Sequence, residues 1–158
     1  MPEGRVGRDL GSGCFDGPTH YFPCRVYYED TDAGGIVYHA NYLRFAERAR
    51  TEMMRALGVE HTAVAAADGV LFTVRRCAID YLMPAVLDDA LVVASRVTAQ
   101  RGASLDLEQR VCRGASELAS LELKLACIDA RPHASRRAVR LPAQVRASIA
   151  KISPDTAR

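Results

Sequence analysis

The hydrophobic periodicity of the chain changes from a helical pattern to a strand pattern after its longest helical segment. Between residues 42 and 57 apolar side chains recur at steps of three and four, as on one face of a helix. Between residues 91 and 127 apolar and polar side chains alternate, as in strands with one face in water. We therefore predict one long helix, with Asn41 as its N-cap and Gly58 as its left-handed C-terminal residue, followed by a sheet. The apolar stripe of this helix consists of Tyr42, Phe45, Ala46, Ala49, Met53, Ala56 and Leu57.

Further strands and turns complete the predicted fold. Residues 21–28 predict a strand before the helix, and residues 70–83 predict one after it, with a bulge or burial on both faces where the alternation slips. The tetrapeptide Arg-Gly-Ala-Ser occurs at 101–104 and 113–116, each time between alternating runs, and predicts two hairpin turns. A short helix begun by Pro142 ends the pattern. This order predicts an α+β fold, in which a curved, largely antiparallel sheet of about five strands wraps one long central helix.

The size and charge of the chain favour one globular domain. Its 158 residues suffice for one core. We predict a flexible, glycine-rich extension over residues 1–19, a folded domain over 20–152 and a flexible tail over 153–158. The formal net charge of +2 indicates no nucleic-acid partner, and no apolar run approaches the ~20 residues of a transmembrane helix. The five cysteines form no Cys-x-x-Cys pair and follow no signal peptide, which predicts reduced thiols and a cytoplasmic location.

The stretch Glu-Asp-Thr-Asp-Ala-Gly-Gly-Ile-Val-Tyr-His-Ala-Asn-Tyr, residues 29–42, is the strongest candidate for a functional site. Asp30 and Asp32 precede the glycine pair Gly34 and Gly35 and then the helix start. This order can set a carboxylate opposite the free N–H groups of a helix N-terminus, which can hold a developing oxyanion. The carboxylate could attack a carbonyl or deprotonate a water that does, so the residues favour acyl transfer to water. The alternative is that both aspartates only form turns.

Other candidate residues are weaker. His39 could position a substrate or contribute its backbone N–H, and with the two aspartates it could bind a metal, although no further protein ligand is identifiable from the spacing. Glu47 is a rival carboxylate, but an ion pair with a neighbouring arginine on the helix surface is the favoured interpretation. The basic residues of the C-terminal segment could attract an anionic substrate, a phosphorylated carrier or a membrane surface, but such tails are more often simply solvated. They are Arg131, Arg136, Arg137, Arg140, Arg146 and Lys151.

Residues 27–55, Tyr-Tyr-Glu-Asp-Thr-Asp-Ala-Gly-Gly-Ile-Val-Tyr-His-Ala-Asn-Tyr-Leu-Arg-Phe and onward, closely resemble the acyl-CoA thioesterases associated with the Tol-Pal system. These belong to the 4-hydroxybenzoyl-CoA thioesterase group of the hotdog superfamily. The resemblance covers roughly residues 21–150. It implies a hotdog fold and a homodimer or homotetramer with active sites at subunit interfaces.

The resemblance also implies roles for individual residues. Asp32 is then the catalytic carboxylate, and the backbone N–H of His39 polarises the thioester carbonyl. Tyr38 and Asn41 line or shape the substrate site, and Gly35 lets the substrate approach the backbone. Asp30 becomes structural. No metal or other cofactor is implied, because coenzyme A is part of the substrate.

Two functions of different classes are therefore predicted. The first is an acyl-CoA thioesterase acting on a short-chain aliphatic or aromatic acyl group, with Asp32 as nucleophile or general base. The second is a non-enzymatic module that binds an acyl carrier protein or a membrane-associated partner through the basic segment. A hotdog dehydratase is less favoured, because it would need a histidine and a second acid converging at the interface.

Overall fold

The computed structural model describes residues 11–153, and these form one antiparallel sheet with three helices. The strands follow the spatial order β1-β2-β4-β5-β6-β3. The α+β architecture with a long helix against a curved sheet is the predicted one. The strands are β1 (Cys14–Asp16), β2 (Thr19–Arg25), β3 (Val70–Tyr81), β4 (Ala90–Gln100), β5 (Ser104–Arg113) and β6 (Ser116–Asp129).

The sheet has six strands where about five were predicted. The additional strand is β1, which pairs with β2 and lies within residues 1–19, where we predicted a flexible extension. The short turn at Gly17 joins the two strands, and its φ of 56° is one that glycine adopts without a Cβ penalty. Residues 1–10 of the predicted extension and 154–158 of the predicted tail lie outside the described residues.

The helices are α1 (Asn41–Ala56), α2 (His61–Asp68) and α3 (Ala143–Ala150). Helix α1 is the predicted long helix, and α3 follows Pro142 as predicted. Helix α2 was expected to be only a connection. Its four alanines are strong helix formers, but it buries only Val64, so it lacks the apolar stripe by which a helix is recognised in a sequence. Within the described residues no helix is both long and apolar enough to span a membrane.

Helix α1 packs against the sheet through its apolar face. Phe45, Ala46 and Ala49 are completely buried, and the small alanine side chains allow the sheet to approach the helix axis closely. The helix ends as predicted at Gly58, with a φ of 78°. Its predicted N-cap is wrong: Asn41 is already the first helical residue, and Ala40 precedes it without a side-chain cap. The Asn41 amide instead donates to the Asp30 carbonyl oxygen at 2.8 Å.

Two details of the sheet match the sequence prediction. The register of β3 against β6 shifts between Val74 and Arg76, which is the predicted bulge. The two Arg-Gly-Ala-Ser copies join β4 to β5 and β5 to β6, as predicted for hairpin turns.

Strand β3 forms one edge of the sheet and pairs only with β6 among the described strands. It is twelve residues long and exposes Leu71, Val74 and Tyr81 to between 39% and 47%. Proteins usually shorten, charge or cover such edges, because the free backbone groups can pair with another chain. The other edge strand, β1, has only three residues.

Candidate active site

The loop between β2 and α1 closes on itself around the glycine pair. Thr31 and Val37 form an antiparallel bridge, and the Asp32 N–H donates to the Ile36 carbonyl at 3.0 Å. Gly35 donates to the Asp32 carbonyl at 3.0 Å and has a φ of 77°, a left-handed conformation that disfavours larger residues. The sequence therefore needs Gly35 for the turn itself, in addition to any approach of a substrate.

The Asp32 side chain projects from this loop into solvent. Its Oδ1 accepts the Gly34 N–H at 2.8 Å. A Cβ at position 34 would lie 3.1 Å from the same oxygen, so glycine leaves the carboxylate room. Oδ2 accepts no hydrogen bond from any described residue. One carboxylate oxygen is thus fixed by the loop, and the other is free to act on a ligand.

Asp30 plays a structural role, as expected. Asp30 is 4% exposed, and its Oδ2 accepts a hydrogen bond from the Tyr27 N–H at 2.8 Å. Its carbonyl oxygen accepts both the Tyr38 N–H and the Asn41 side-chain amide at 2.8 Å. Asp30 therefore ties the loop to the first turn of α1.

The backbone at His39 is held by a hydrogen bond on each side. The Tyr38 carbonyl accepts the Asn41 N–H at 2.8 Å, and the His39 carbonyl accepts the Tyr81 hydroxyl at 2.8 Å. In a trans peptide the N–H points opposite to the carbonyl, so the His39 N–H is directed away from the helix. It donates to no acceptor among the described residues. A fixed, unused donor at a helix N-terminus suits an anionic oxygen.

Asp32 and His39 lie on the same cavity, which has a volume of about 360 Å³. Tyr42 and Tyr81 form an aromatic wall, with ring centroids 5.5 Å apart, and the Tyr42 hydroxyl accepts the Ala85 N–H at 2.9 Å. Leu82, Met83 and Pro84 add an apolar side. The cavity is therefore lined by Asp32 and by His39, whose backbone N–H is unused, and its remaining walls are mainly apolar.

The other three predicted site residues do not line this cavity. Tyr38 is 46% exposed, and its ring packs against the His39 imidazole in a tilted arrangement, with centroids 4.4 Å apart and an interplanar angle of 57°. Asn41 is 4% exposed and acts through its bond to Asp30. Gly35 shapes the loop. Ile36, which the loop exposes to 40%, lines the cavity together with buried Val37.

Sequence reasoning did not assign a role to Tyr81 or to residues 82–84. Tyr81 lies 42 positions from His39, at the end of β3, and no local pattern connects the two. Burial is the main reason that the pKa of its hydroxyl is raised, so the group stays a neutral donor at neutral pH. The strand predicted over residues 70–83 placed Tyr81 near a strand end but did not show which residues its side chain contacts.

The rival site residues lie elsewhere or do not assemble. Glu47 lines a different cavity, between α1 and α2, and not the one that contains Asp32. Within residues 11–153 no three His, Cys, Asp or Glu side chains are grouped so that they could hold a metal ion. The assembled groups are thus one carboxylate and one backbone N–H, which suit attack on a carbonyl whose oxygen becomes negative.

Comparison with known proteins agrees with this chemistry. Residues 26–149 match the family model described as thioesterase-like superfamily. The acyl-CoA thioesterase YbgC of Haemophilus influenzae is 44% identical over 128 residues, which cover 81% of this chain and 92% of that protein. The acyl-CoA thioester hydrolase YbgC of Escherichia coli is 46% identical over 109 residues, 68% of this chain and 81% of that protein.

Solved structures share the fold. The probable thioesterase of Bartonella henselae is 36% identical and superimposes with a TM-score of 0.74, covering 78% of this chain and 99% of that one. The fold is thus the hotdog fold of the thioesterases. The family match spans most of the chain, including the Asp32 loop, α1 and all strands from β3 to β6. The chain therefore belongs to the thioesterase-like superfamily.

Proposed function

We propose that this protein is a thioester hydrolase that cleaves acyl-CoA to a free acid and coenzyme A. The observation that carries the proposal is the cavity that is lined by both Asp32 and His39, whose backbone N–H is unused. The relatives that carry acyl-CoA thioesterase names, at 44% and 46% identity, support the same reaction.

The site can divide the reaction between these two groups. The free Oδ2 of Asp32 either attacks the thioester carbonyl carbon or takes a proton from a water molecule that does. The carbonyl oxygen becomes an oxyanion and accepts the His39 N–H. Collapse of the tetrahedral intermediate breaks the C–S bond, and coenzyme A leaves as its thiol after protonation. In the covalent route a water molecule then hydrolyses the acyl-Asp32 anhydride. Neither route requires a metal or an organic cofactor.

The side chains that line the Asp32 cavity indicate the class of substrate. Two tyrosine rings and three apolar side chains favour a short aliphatic or aromatic acyl group near the thioester. A cavity of about 360 Å³ in one chain is too small to hold a long acyl chain as well as the thioester arm of coenzyme A.

The free edge of β3 supports a homodimer, which could pair further into a homotetramer. Antiparallel pairing of β3 with β3 of a second copy would satisfy the unused backbone groups and cover Leu71 and Val74. Such an interface is isologous, because the same strand contributes on both sides.

The close resemblance of residues 27–55 also bears on where in the cell the protein acts and with which system. It favours a cytoplasmic enzyme of the 4-hydroxybenzoyl-CoA thioesterase group that works with the Tol-Pal system. Delivery of the acyl group by an acyl carrier protein remains a second candidate, because Arg131, Arg136, Arg137 and Arg140 are exposed in one segment and could face an acidic carrier.

The test of the proposed function is release of free thiol from a panel of acyl-CoA esters. The panel runs from acetyl- to palmitoyl-CoA and includes benzoyl- and phenylacetyl-CoA, each assayed over a range of concentrations. We expect the largest kcat/KM values among the short and aromatic esters. Absence of turnover for every ester, with the protein folded and dimeric, would rule out the thioesterase proposal and favour the carrier-binding module.

Tyr81→Phe tests the contact that holds the His39 peptide. The substitution removes only the hydroxyl that donates to the His39 carbonyl. A neutral hydrogen bond contributes about 0.5–1.5 kcal/mol, so we expect kcat to fall roughly 2–10-fold with little change in KM. Tyr28→Phe, at an 81% exposed tyrosine outside the cavity, is the matched control. If both variants have wild-type kcat, Tyr81 does not position the oxyanion donor.

A further inference from the structure

The Asp32 loop and the start of α1 are joined from two sides. Asp32 belongs to the loop that the bridge between Thr31 and Val37 closes, whereas the His39 N–H belongs to the segment that leads into α1. Asp30 joins the two from one side through its carbonyl oxygen. From the other side they are joined by the loop between β3 and β4, residues 82–89, which also provides the apolar wall of the Asp32 cavity.

Ala85 is the residue of the 82–89 loop that makes this connection. It is completely buried, and its two backbone polar groups bond to different elements. Its carbonyl oxygen accepts the Val37 N–H at 2.9 Å, and its N–H donates to the Tyr42 hydroxyl at 2.9 Å. Val37 closes the loop that carries Asp32, and Tyr42 lies in the first turn of α1. Because a buried N–H without an acceptor is costly, the Tyr42 hydroxyl fixes the 82–89 loop against the helix.

An ion pair holds the residues on both sides of Ala85. Oδ2 of Asp89 accepts the Val86 N–H at 2.9 Å, and Nη1 of Arg113 donates to the same oxygen at 2.6 Å. The same Arg113 nitrogen lies 3.5 Å from the Pro84 carbonyl oxygen. Burial alone would raise the pKa of Asp89, but the bonds from Val86 and Arg113 outweigh it and hold that pKa below its usual range. The carboxylate is therefore charged at neutral pH and keeps its pairing with the guanidinium.

The backbone at Asp88 indicates that the 82–89 loop is held in one conformation. Asp88 has a φ of 70°, in the left-handed region that residues other than glycine adopt at a cost. Its N–H donates to the Val26 carbonyl at 3.1 Å, and its carbonyl accepts Nη1 of Arg25 at 2.9 Å. The Val26 N–H donates to the Asp89 carbonyl at 3.0 Å. Such a conformation persists only where the surrounding contacts determine it, and these three bonds do so.

We propose that the 82–89 loop holds Asp32 at its working distance from the His39 N–H, and that Tyr42 and Arg113 are the positioning residues of this loop. The inference rests on the proposed thioesterase function and deepens it. The Tyr42 hydroxyl acts through Ala85, and Arg113 acts through the turn that contains Ala85. Neither group needs to contact the reacting atoms. Loss of either contact lets the Asp32 loop move relative to α1, and small displacements of reacting groups are expensive in rate.

Tyr42→Phe removes the acceptor of the Ala85 N–H and keeps a ring against Phe45 and Tyr81. We expect kcat to fall roughly 10–100-fold on every ester of the panel, with KM changed by less than about 3-fold. A uniform loss is expected because the distance between the attacking group and the oxyanion donor is the same for all esters. The control is Tyr21→Phe, at a half-buried tyrosine on β2 that does not line the Asp32 cavity. It should keep wild-type kcat.

Arg113→Met removes the guanidinium and keeps much of the length of the side chain. Because the ion pair is partly exposed, we expect a smaller loss of kcat, roughly 3–10-fold, again with little change in KM. Arg113→Lys can still donate to Asp89 and should restore most of kcat. The control is Arg110→Met on the same strand, where the guanidinium pairs with Glu117 at 3.9 Å and does not contact the 82–89 loop. It should keep wild-type kcat.

The double variant tests whether the two residues act through one loop. If both effects pass through the position of Ala85, Tyr42→Phe already releases the loop from α1. Addition of Arg113→Met should then lower kcat by less than about 2-fold more, because residues of one network are not additive. Losses that multiply in the double variant would mean that the two residues act independently, and this result would overturn the inference.

Hydrogen–deuterium exchange measures the loop without turnover. The amides of Val37, Ala85 and Val86 donate within these contacts, so they should be protected in the wild type. Tyr42→Phe should speed exchange at Ala85 and Val37, and Arg113→Met should speed it at Val86, each by about 10-fold or more. Amides in the middle of α1 report the change in global stability, and the loop rates are corrected by them.

Three outcomes would overturn the inference. The first is wild-type kcat in both folded variants. The second is a change in KM or in the preference among esters in place of a uniform loss of kcat, which would assign the loop to substrate binding. The third is a loss of kcat in Tyr42→Phe without faster exchange in the 82–89 loop, which would mean that the hydroxyl acts on the substrate itself. Circular dichroism and gel filtration show whether each variant is folded.

A further variant keeps the test open if a substitution prevents folding. Asp89→Asn can still accept the Val86 N–H but loses the charge that pairs with Arg113, so it replaces Arg113→Met. Its kcat and its exchange rates should change in the same direction as those of Arg113→Met. If Tyr42→Phe does not fold, these two ion-pair variants decide the inference, and wild-type kcat in both would overturn it.

The exchange rates separate this inference from the proposed function. If the wild type hydrolyses no ester while Val37 and Ala85 are protected through Tyr42 and Arg113, the loop still joins the Asp32 loop to α1, and only the reaction assigned to the site is wrong. Hydrolysis by the wild type with unchanged kcat in both variants would overturn only the positioning role of the loop.

Discussion

Replacement of Asp32 by asparagine is expected to lower kcat for acyl-CoA hydrolysis by about 10²–10⁴-fold. Asparagine has nearly the same shape, and its side-chain oxygen can still accept the Gly34 N–H that Oδ1 accepts at 2.8 Å. The loop should therefore keep its conformation. The variant lacks the second, free carboxylate oxygen, so it can neither attack the thioester nor accept a proton from water. The measurement is steady-state thiol release on the best ester of the panel.

The stability of this variant is as informative as its activity. Asp32 is exposed, so the midpoint of thermal unfolding should stay close to that of the wild type. KM should change little, because the acyl walls and the His39 N–H are untouched. Glu29→Gln, at an exposed carboxylate in the same segment, provides the matched control and should keep wild-type kcat. A folded Asp32→Asn protein with more than about a tenth of wild-type kcat would show that another group performs the attack.

The position of the Asp32 loop could be predicted because its signals are local. The three- and four-residue spacing of apolar side chains predicted α1, which begins a few residues after the glycine pair. Asp32 and His39 therefore had to lie near a helix N-terminus. The turn at Gly35 likewise depends on a residue type that the sequence displays. Asp30 could be separated from Asp32 only through the resemblance, since both aspartates have the same local context.

The walls of the site could not be predicted, because they depend on contacts distant in sequence. Tyr81 reaches His39 through the packing of the β3 end against the α1 start, and the register of β3 is set by β6. The Asn41 side chain had two acceptable uses, a helix cap and a bond to the Asp30 carbonyl. Tertiary structure selected the second, because the buried Asn41 amide needs an acceptor and the Asp30 carbonyl provides it.

Helix α2 shows a different limit. Its alanines permit a helix but do not demand one, and Val64 is its one buried residue. The helix nevertheless forms one side of the cavity that Glu47 lines. Local signals in the sequence thus predicted the Asp32 loop, whereas the cavity between α1 and α2 depends on a helix whose signal is weak.

Phe45→Ala is expected to reduce the free energy of unfolding by about 3–5 kcal/mol, because the ring is completely buried under α1 and its loss leaves a cavity. Phe45 also packs edge-on against Tyr42, with centroids 6.2 Å apart, and Tyr42 lines the Asp32 cavity. The loss of packing should therefore loosen the helix start that carries the His39 N–H and lower kcat as well.

The control for Phe45→Ala is Leu43→Ala, at a 40% exposed leucine on the same helix. This substitution should change the free energy of unfolding by about 0.5 kcal/mol or less. Denaturant titrations at one fixed protein concentration compare the two variants, since the unfolding midpoint of a protein that self-associates depends on its concentration. Equal destabilisation by both substitutions would mean that α1 is not anchored through Phe45, and the placement of the oxyanion donor would need another support.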